Sequence, residues 1–191
     1  MSADVVSVLE FEDLRQVIIV GNSSAGVVIT GVANGMPERI ANVVYLDAFV
    51  PDDGQCMLDI IPPERRPPIE TLVREEGNGW LVPRFGPPPW EKIATEAWQI
   101  RDEGDLRWVL PRLRPTPFRH FTEKVRRDNP VAEKLPRTYI RCRDYPNTSF
   151  DRYAQIAQHA PGWRYRELAT SHLPFITHPS EVANSLMELS P

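Results

Sequence analysis

The stretch Gly21-Asn22-Ser23-Ser24-Ala25-Gly26 follows the apolar run Val17-Ile18-Ile19-Val20 and precedes VVITGVANG. A strand, a sharp hydroxyl-bearing turn and a helix in that order describe a nucleophile elbow, in which a strained turn lifts a serine oxygen above a sheet. Residues two before and two after the nucleophile crowd the adjoining strand and helix, so both must be small. Gly21 and Ala25 meet that condition around Ser23, the first choice for a nucleophile. Asn22 and Gly26 flank Ser24, the sterically poorer alternative. A P-loop would need Lys after its second glycine, where Val27 stands, and a dinucleotide fingerprint would need glycine at Ser23. Taken alone, such a turn can do no more than cap a helix. A serine hydroxyl also needs a base to take its proton and a third group to fix the tautomer of that base. The candidate bases are His120, His159, His172 and His178.

The elements that must position these groups are legible as short apolar runs between helical patterns: VIIV at 17 to 20, VVYL at 43 to 46, TYI at 138 to 140 and WRYREL at 163 to 168. Continuous Val and Ile runs suggest strands buried on both faces. The lengths between them allow helical crossovers, so the class expected is α/β with a parallel sheet of about four strands. Residues 3 to 14 read as a helix that Ser2 could cap. The β-branched run after the elbow reads as a buried helix over about 24 to 33, because Asn34-Gly35 and Pro37 end it. Pro179 opens a terminal helix with Val182, Leu186 and Leu189 on one face.

The stretch VIIVGNSSAGVVITGVANGMPERIANVVYLDAFVPDDGQ resembles the elbow region of small α/β-hydrolase-fold esterases related to plant methylesterases and hydroxynitrile lyases. Those proteins usually show GHSYGG where this chain has GNSSAG. The resemblance continues through PRTYIRC (136 to 142), PGWRYREL (161 to 168) and ATSHLPFITHP, and so spans nearly the whole chain. It implies that His172, on the loop after the last strand, is the base. His178 beside Pro179 suits a capping or surface role, and His120 and His159 fall in polar helical contexts. It further implies an acid on the loop after the penultimate strand, where Asp144 stands. Asp47, ending the VVYLD strand, is the competing acid, and Asp151 a weaker third. The order Ser, Asp, His is that of the fold. One oxyanion donor would be the backbone N–H of Ser24, at the positive end of the following helix. The second usually comes from a loop of an earlier strand, and only 20 residues precede Gly21 here. The sequence therefore implies a core lacking its N-terminal strands, either as the natural chain or as a piece of a longer one. The Val17 to Val20 strand would then lie at a sheet edge, either covered by the cap or paired with a second copy in a homodimer.

The division expected is a core of residues 1–50 and 131–191 with an inserted cap over 51–130. The cap region holds most of the 20 prolines, together with Trp80, Trp90, Trp98 and Trp108. Those rings and Phe118, with Leu110 and Leu113, could line an apolar substrate pocket or simply pack the cap. The 22 Lys and Arg against 26 Asp and Glu give a net charge of −4 with no basic run, which speaks against nucleic-acid or anionic-membrane partners. No signal peptide or membrane span is evident, so a cytoplasmic location is expected. Cys56 and Cys142 lack CxxC spacing and read as inert thiols, with no metal site implied. The expected activity is a serine carboxylesterase acting on small to medium esters, without cofactor. The alternatives are a weak or dead hydrolase-fold binding subunit and cyanohydrin-type carbon–carbon cleavage. The latter would want a cap lysine, of which there are only Lys92 and Lys124.

Overall fold

The computed structural model describes residues 1–84 and 88–189; Pro87 of the proline-rich block lies outside the described residues. In chain order, α1 (Ser2–Phe11) leads into β1 (Val17–Ser23), α2 (Ala25–Gly35) and β2 (Ile40–Ala48). The inserted block supplies α3 (Met57–Ile60), α4 (Arg66–Glu75), β3 (Leu81–Val82), α5 (Trp90–Lys92), α6 (Glu103–Val109), β4 (Thr116–Pro117) and α7 (Arg119–Thr122). The chain then returns through β5 (Arg137–Cys142), α8 (Asp151–His159), β6 (Trp163–Leu168), α9 (Pro174–Thr177) and α10 (Pro179–Met187).

The main sheet is four-stranded in the order β1-β2-β5-β6, and every pair is parallel. β5 is buried throughout and β2 nearly so, as expected of apolar runs covered by helices on both faces. β1 pairs only with β2 among the described residues, and Val20 on it is exposed. Helix α2 forms from a run of Val, Ile and Thr that propensity alone would make a strand. The override is tertiary: Val27, Ile29, Thr30, Val32 and Ala33 are all buried. The helix runs so close to the sheet that a Cβ on Gly26 would meet Phe49 O at 2.1 Å. Ser2 is not the cap the sequence suggests. Met1 holds that position, and Ser2 Oγ instead donates to Val28 O at 3.1 Å, tying α1 to α2.

Part of the inserted block shares the core of the sheet, since Met57, Ile61, Val73, Val82 and Phe121 pack with Tyr45, Phe49 and Tyr139. A separate apolar cluster joins Ala94, Ile100 and Val109 of the block to Leu173. That second cluster sets the block against the loop carrying His172. Both cysteines are free and buried, and burial pushes the Cys142 thiol up to about 12, far from thiolate chemistry at neutral pH. No helix among the described residues is long and apolar enough to cross a membrane.

Candidate active site

Near their C-terminal ends β1 and β2 each carry a non-glycine residue in the left-handed region, Ser23 as the last residue of β1 at φ +55° and Asp47 as the last but one of β2 at φ +46°. Such residues cost free energy that the surrounding structure must offset, and they cluster where a side chain has to be aimed. At the first, the turn is tight enough that a Cβ on Gly21 would lie 2.8 Å from Ala25 O, which is the steric demand for small residues around Ser23. Ser24 follows as the N-cap residue of α2, with ordinary helical φ, so the strained position belongs to Ser23.

Asn22 explains itself here. Its side-chain amide donates to Leu46 O at 2.9 Å and to His172 O at 3.0 Å, clamping the end of β2 and the distant histidine loop to the elbow. His172 is buried against two rings, Tyr145 at 4.4 Å and Phe150 at 5.3 Å between centroids, both within about 25° of parallel to it. Its Nδ1 donates to Asp47 Oδ2 at 2.7 Å. The other oxygen, Oδ1, accepts from Arg141 Nη1 at 2.7 Å and from the Cys142 N–H at 3.2 Å. Asp47 is fully buried, so each of these donors matters: an unpaired carboxylate there would be strongly disfavoured. Arg141 continues the network to Asp151 at 3.0 Å and to the carbonyls of Tyr145 and Asn147. This arrangement fixes the imidazole tautomer with the proton on Nδ1 and leaves Nε2 able to accept one.

Asp144, the acid expected first, does not meet the ring. The chain turns outward after β5, leaving its side chain exposed and 3.6 Å from Arg143, while its N–H donates to Thr170 O. The inward place at that strand end is taken by Arg141, whose positive charge faces Asp47. The carboxylate against His172 is therefore the alternative, Asp47. Asp151 meets Arg141 rather than the histidine. His159 is exposed on α8, and the ring of His178 lies with Nδ1 2.9 Å from the neighbouring Thr177 hydroxyl. His120, expected in a polar setting, is buried with Nε2 2.9 Å from Ser24 Oγ. Sequence reasoning gave it no role, because nothing in its own neighbourhood marks it.

Ser23, Ser24 and His172 border one cavity of about 730 Å³. Trp98, Trp108, Leu113, Phe49, Phe121 and Phe150 contribute to its walls, and Glu64, Arg65, Lys92, Glu96 and Arg112 also border it. The remaining rings named from the sequence stand elsewhere. Trp80 is exposed, Trp90 lies against Trp98 at 5.7 Å and Phe118 packs against the main core. Leu110 packs in the cluster that joins the block to Leu173. Among the described residues no group of three or more His, Cys, Asp or Glu is placed to hold a metal ion.

A parallel sheet, an elbow serine at a strand end and a histidine after the last strand define the class, and the chain belongs to the alpha/beta hydrolase family, whose model matches residues 2–185. Among curated relatives it is similar to the carbendazim hydrolyzing esterase of Nocardioides sp. (strain SG-4G), 28% identical over 195 residues that cover 97% of this chain and 76% of that protein. It is 24% identical to methylesterase 17 of Arabidopsis thaliana, covering 88% of this chain and 64% of that one. It spans about half of a chloroplastic methylesterase of the same plant, 52% of its length. An extracellular alpha/beta-hydrolase from a Paenibacillus species, described as structurally and functionally homologous to tobacco salicylic acid binding protein 2, superimposes with a TM-score of 0.80. That match has 23% identity over 99% of this chain and 78% of that one, a likeness of fold.

Proposed function

We propose that this chain is a serine carboxylesterase in which Ser23 is the nucleophile, His172 the general base and Asp47 the residue that orients it. The observation that carries this reading is the buried Asp47–His172 hydrogen bond, 2.7 Å long, on the same cavity as a serine held at φ +55°. The esterase names of the relatives support the reaction class. Ser23 Oγ attacks the ester carbonyl as His172 Nε2 takes its proton. The imidazolium is stabilised by Asp47 and gives that proton to the departing alkoxide. Water, activated by the same imidazole, then hydrolyses the acyl-enzyme. The backbone N–H of Ser24, at the start of α2, stabilises the oxyanion. The predominantly aromatic and aliphatic walls favour an ester with a medium-sized apolar or aryl group, which a cavity of this size can enclose.

The test is hydrolysis of a nitrophenyl ester series before and after fluorophosphonate treatment. Turnover blocked by one equivalent of reagent supports the reading. A protein that neither reacts with the reagent nor turns over any ester would instead be a hydrolase-fold binding subunit. Cyanohydrin cleavage draws no support from the site: Lys92 borders the cavity but is exposed and lies 3.8 Å from Glu96.

We also propose that β1 is a pairing edge for a second copy. Val20 is exposed on it, and Val8, Phe11 and Leu14 are exposed on the segment leading into it. Light scattering of a dimer that Val20→Lys converts to monomer supports this; a wild-type monomer at high concentration refutes it.

A further inference from the structure

Ser24, the second serine of the elbow, meets a histidine that has no carboxylate hydrogen-bonded behind it. His120 comes from α7 in the inserted block and is 7% exposed, with Nε2 2.9 Å from Ser24 Oγ. Its Nδ1 is buried with no hydrogen-bond partner. Burial also holds this imidazole below the ordinary histidine pKa, so the ring is neutral and carries one N–H.

Where that hydrogen sits decides what Ser24 can do. On Nδ1 it would be a buried donor with nothing to bond, the kind of orphan that folded proteins avoid most strictly. On Nε2 it donates to Ser24 Oγ and leaves Nδ1 as a bare acceptor, the less costly alternative. A hydroxyl that accepts in this way keeps its own hydrogen free to donate in another direction. Ser24 borders the large cavity beside Ser23, at the N-terminal end of α2, where negative charge is favoured.

We propose that the Ser24 hydroxyl is an oxyanion donor in its own right, acting with the Ser24 backbone N–H, and that His120 is the positioning residue that turns it toward the cavity. The proposal rests on the reading of Ser23 as nucleophile. No proton is transferred to the anion. As Ser23 Oγ bonds to the carbonyl carbon and the C=O electron pair moves onto oxygen, the N–H and O–H of one residue shorten onto that oxygen. The contribution belongs to the transition state, so it must appear in kcat rather than KM.

The experiment is steady-state hydrolysis of a nitrophenyl ester by wild type, Ser24→Ala, Ser24→Cys, His120→Phe, His120→Gln and the double variant Ser24→Ala/His120→Phe. Thermal melts of each verify folding, and the fluorophosphonate adduct is mapped by mass. Ser24→Ala is expected to lower kcat by ~10² to 10³ with KM nearly unchanged, as for loss of one oxyanion donor. Ser24→Cys keeps the volume but offers a weak donor, and should lose nearly as much. His120→Phe should lower kcat, and His120→Gln, which retains an N–H donor, should restore most of it. The double variant should fall no further than Ser24→Ala. With wild-type label on Ser23, a Ser24→Ala enzyme at wild-type kcat overturns this proposal alone. So does a His120→Phe effect that is as large in the Ser24→Ala background as in wild type. A label on Ser24, or a wild type with neither label nor turnover, overturns the nucleophile assignment, and this proposal with it.

Discussion

The ends of the parallel strands and the inserted block face each other across one cavity, and they are built by opposite means. On the sheet side the candidate groups are fixed by backbone: Ser23 and Asp47 hold left-handed φ at the ends of paired strands, and Asn22 ties the His172 loop to the end of β2. On the block side most elements apart from α4 are short, with two-residue strands β3 and β4, and the cavity wall consists of side chains such as Trp98, Trp108 and Leu113. In the proposed esterase, chemistry that requires sub-ångström placement would fall to the sheet side, and selection of an apolar substrate to the side walled by side chains. The one polar link from the block to the elbow is, among the described residues, the His120–Ser24 hydrogen bond.

The comparison breaks if the two candidate acids behave alike. Asp47→Asn should lower kcat by roughly 10⁴, because the imidazole loses the partner that fixes its tautomer, whereas Asp144→Asn should leave the rate unchanged. Rates of nitrophenyl ester hydrolysis check both. On the same side of the cavity, Arg141→Met strips a fully buried carboxylate of its cationic partner. It should cost about 3 to 5 kcal/mol of stability by urea unfolding, with a loss of that order expected for a broken buried pair. On the block side, Trp98→Ala should leave hydrolysis of a nitrophenyl acetate nearly intact while reducing kcat/KM for a bulky aryl ester by roughly tenfold. Equal losses on both substrates would mean that the ring supports the site instead of shaping it.

The smallest effect sharpens the link between the two sides. Burial lowers the His120 pKa from its ordinary 6.5, so the unfolded chain takes up the proton first as pH falls. The stability due to the neutral ring is complete above about 6.5 and is lost as pH drops from there toward the folded-state value. His120→Gln should therefore flatten the decline in unfolding free energy as pH falls below about 6.5. Glu123, Lys124 and Arg126, which border a small cavity with His120, are unchanged in that variant and cancel in the difference. Parallel curves for the two proteins would show that His120 does not titrate differently on folding.

The elbow was readable because its requirement is local: small residues at fixed offsets from a serine are a steric condition that sequence states directly. The same is true of α2, whose ending at Asn34-Gly35 outweighs its β-branched composition. The carboxylate partner of His172 was not readable to the same degree, since Asp47 lies at the end of one strand and Asp144 just beyond another. What separates them is the turn each makes and the charge of Arg141, which pairs with Asp47 across 94 residues of sequence. His120 meets Ser24 across 96 residues from a four-residue helix, a pairing that no periodicity announces. Aromatic residues in the block were legible as a group, but whether a ring walls the cavity, as Trp98 does, or stands in solvent, as Trp80 does, depends on packing of elements too short to carry a pattern.

The most direct trial of the central claim is to mix the protein with excess nitrophenyl ester, quench before steady state and locate the acyl group by peptide mass. An acyl group on Ser23, absent from Ser23→Ala and still formed slowly by Ser24→Ala, is the predicted result. Acylation of Ser24, or of neither serine during active turnover, would contradict it.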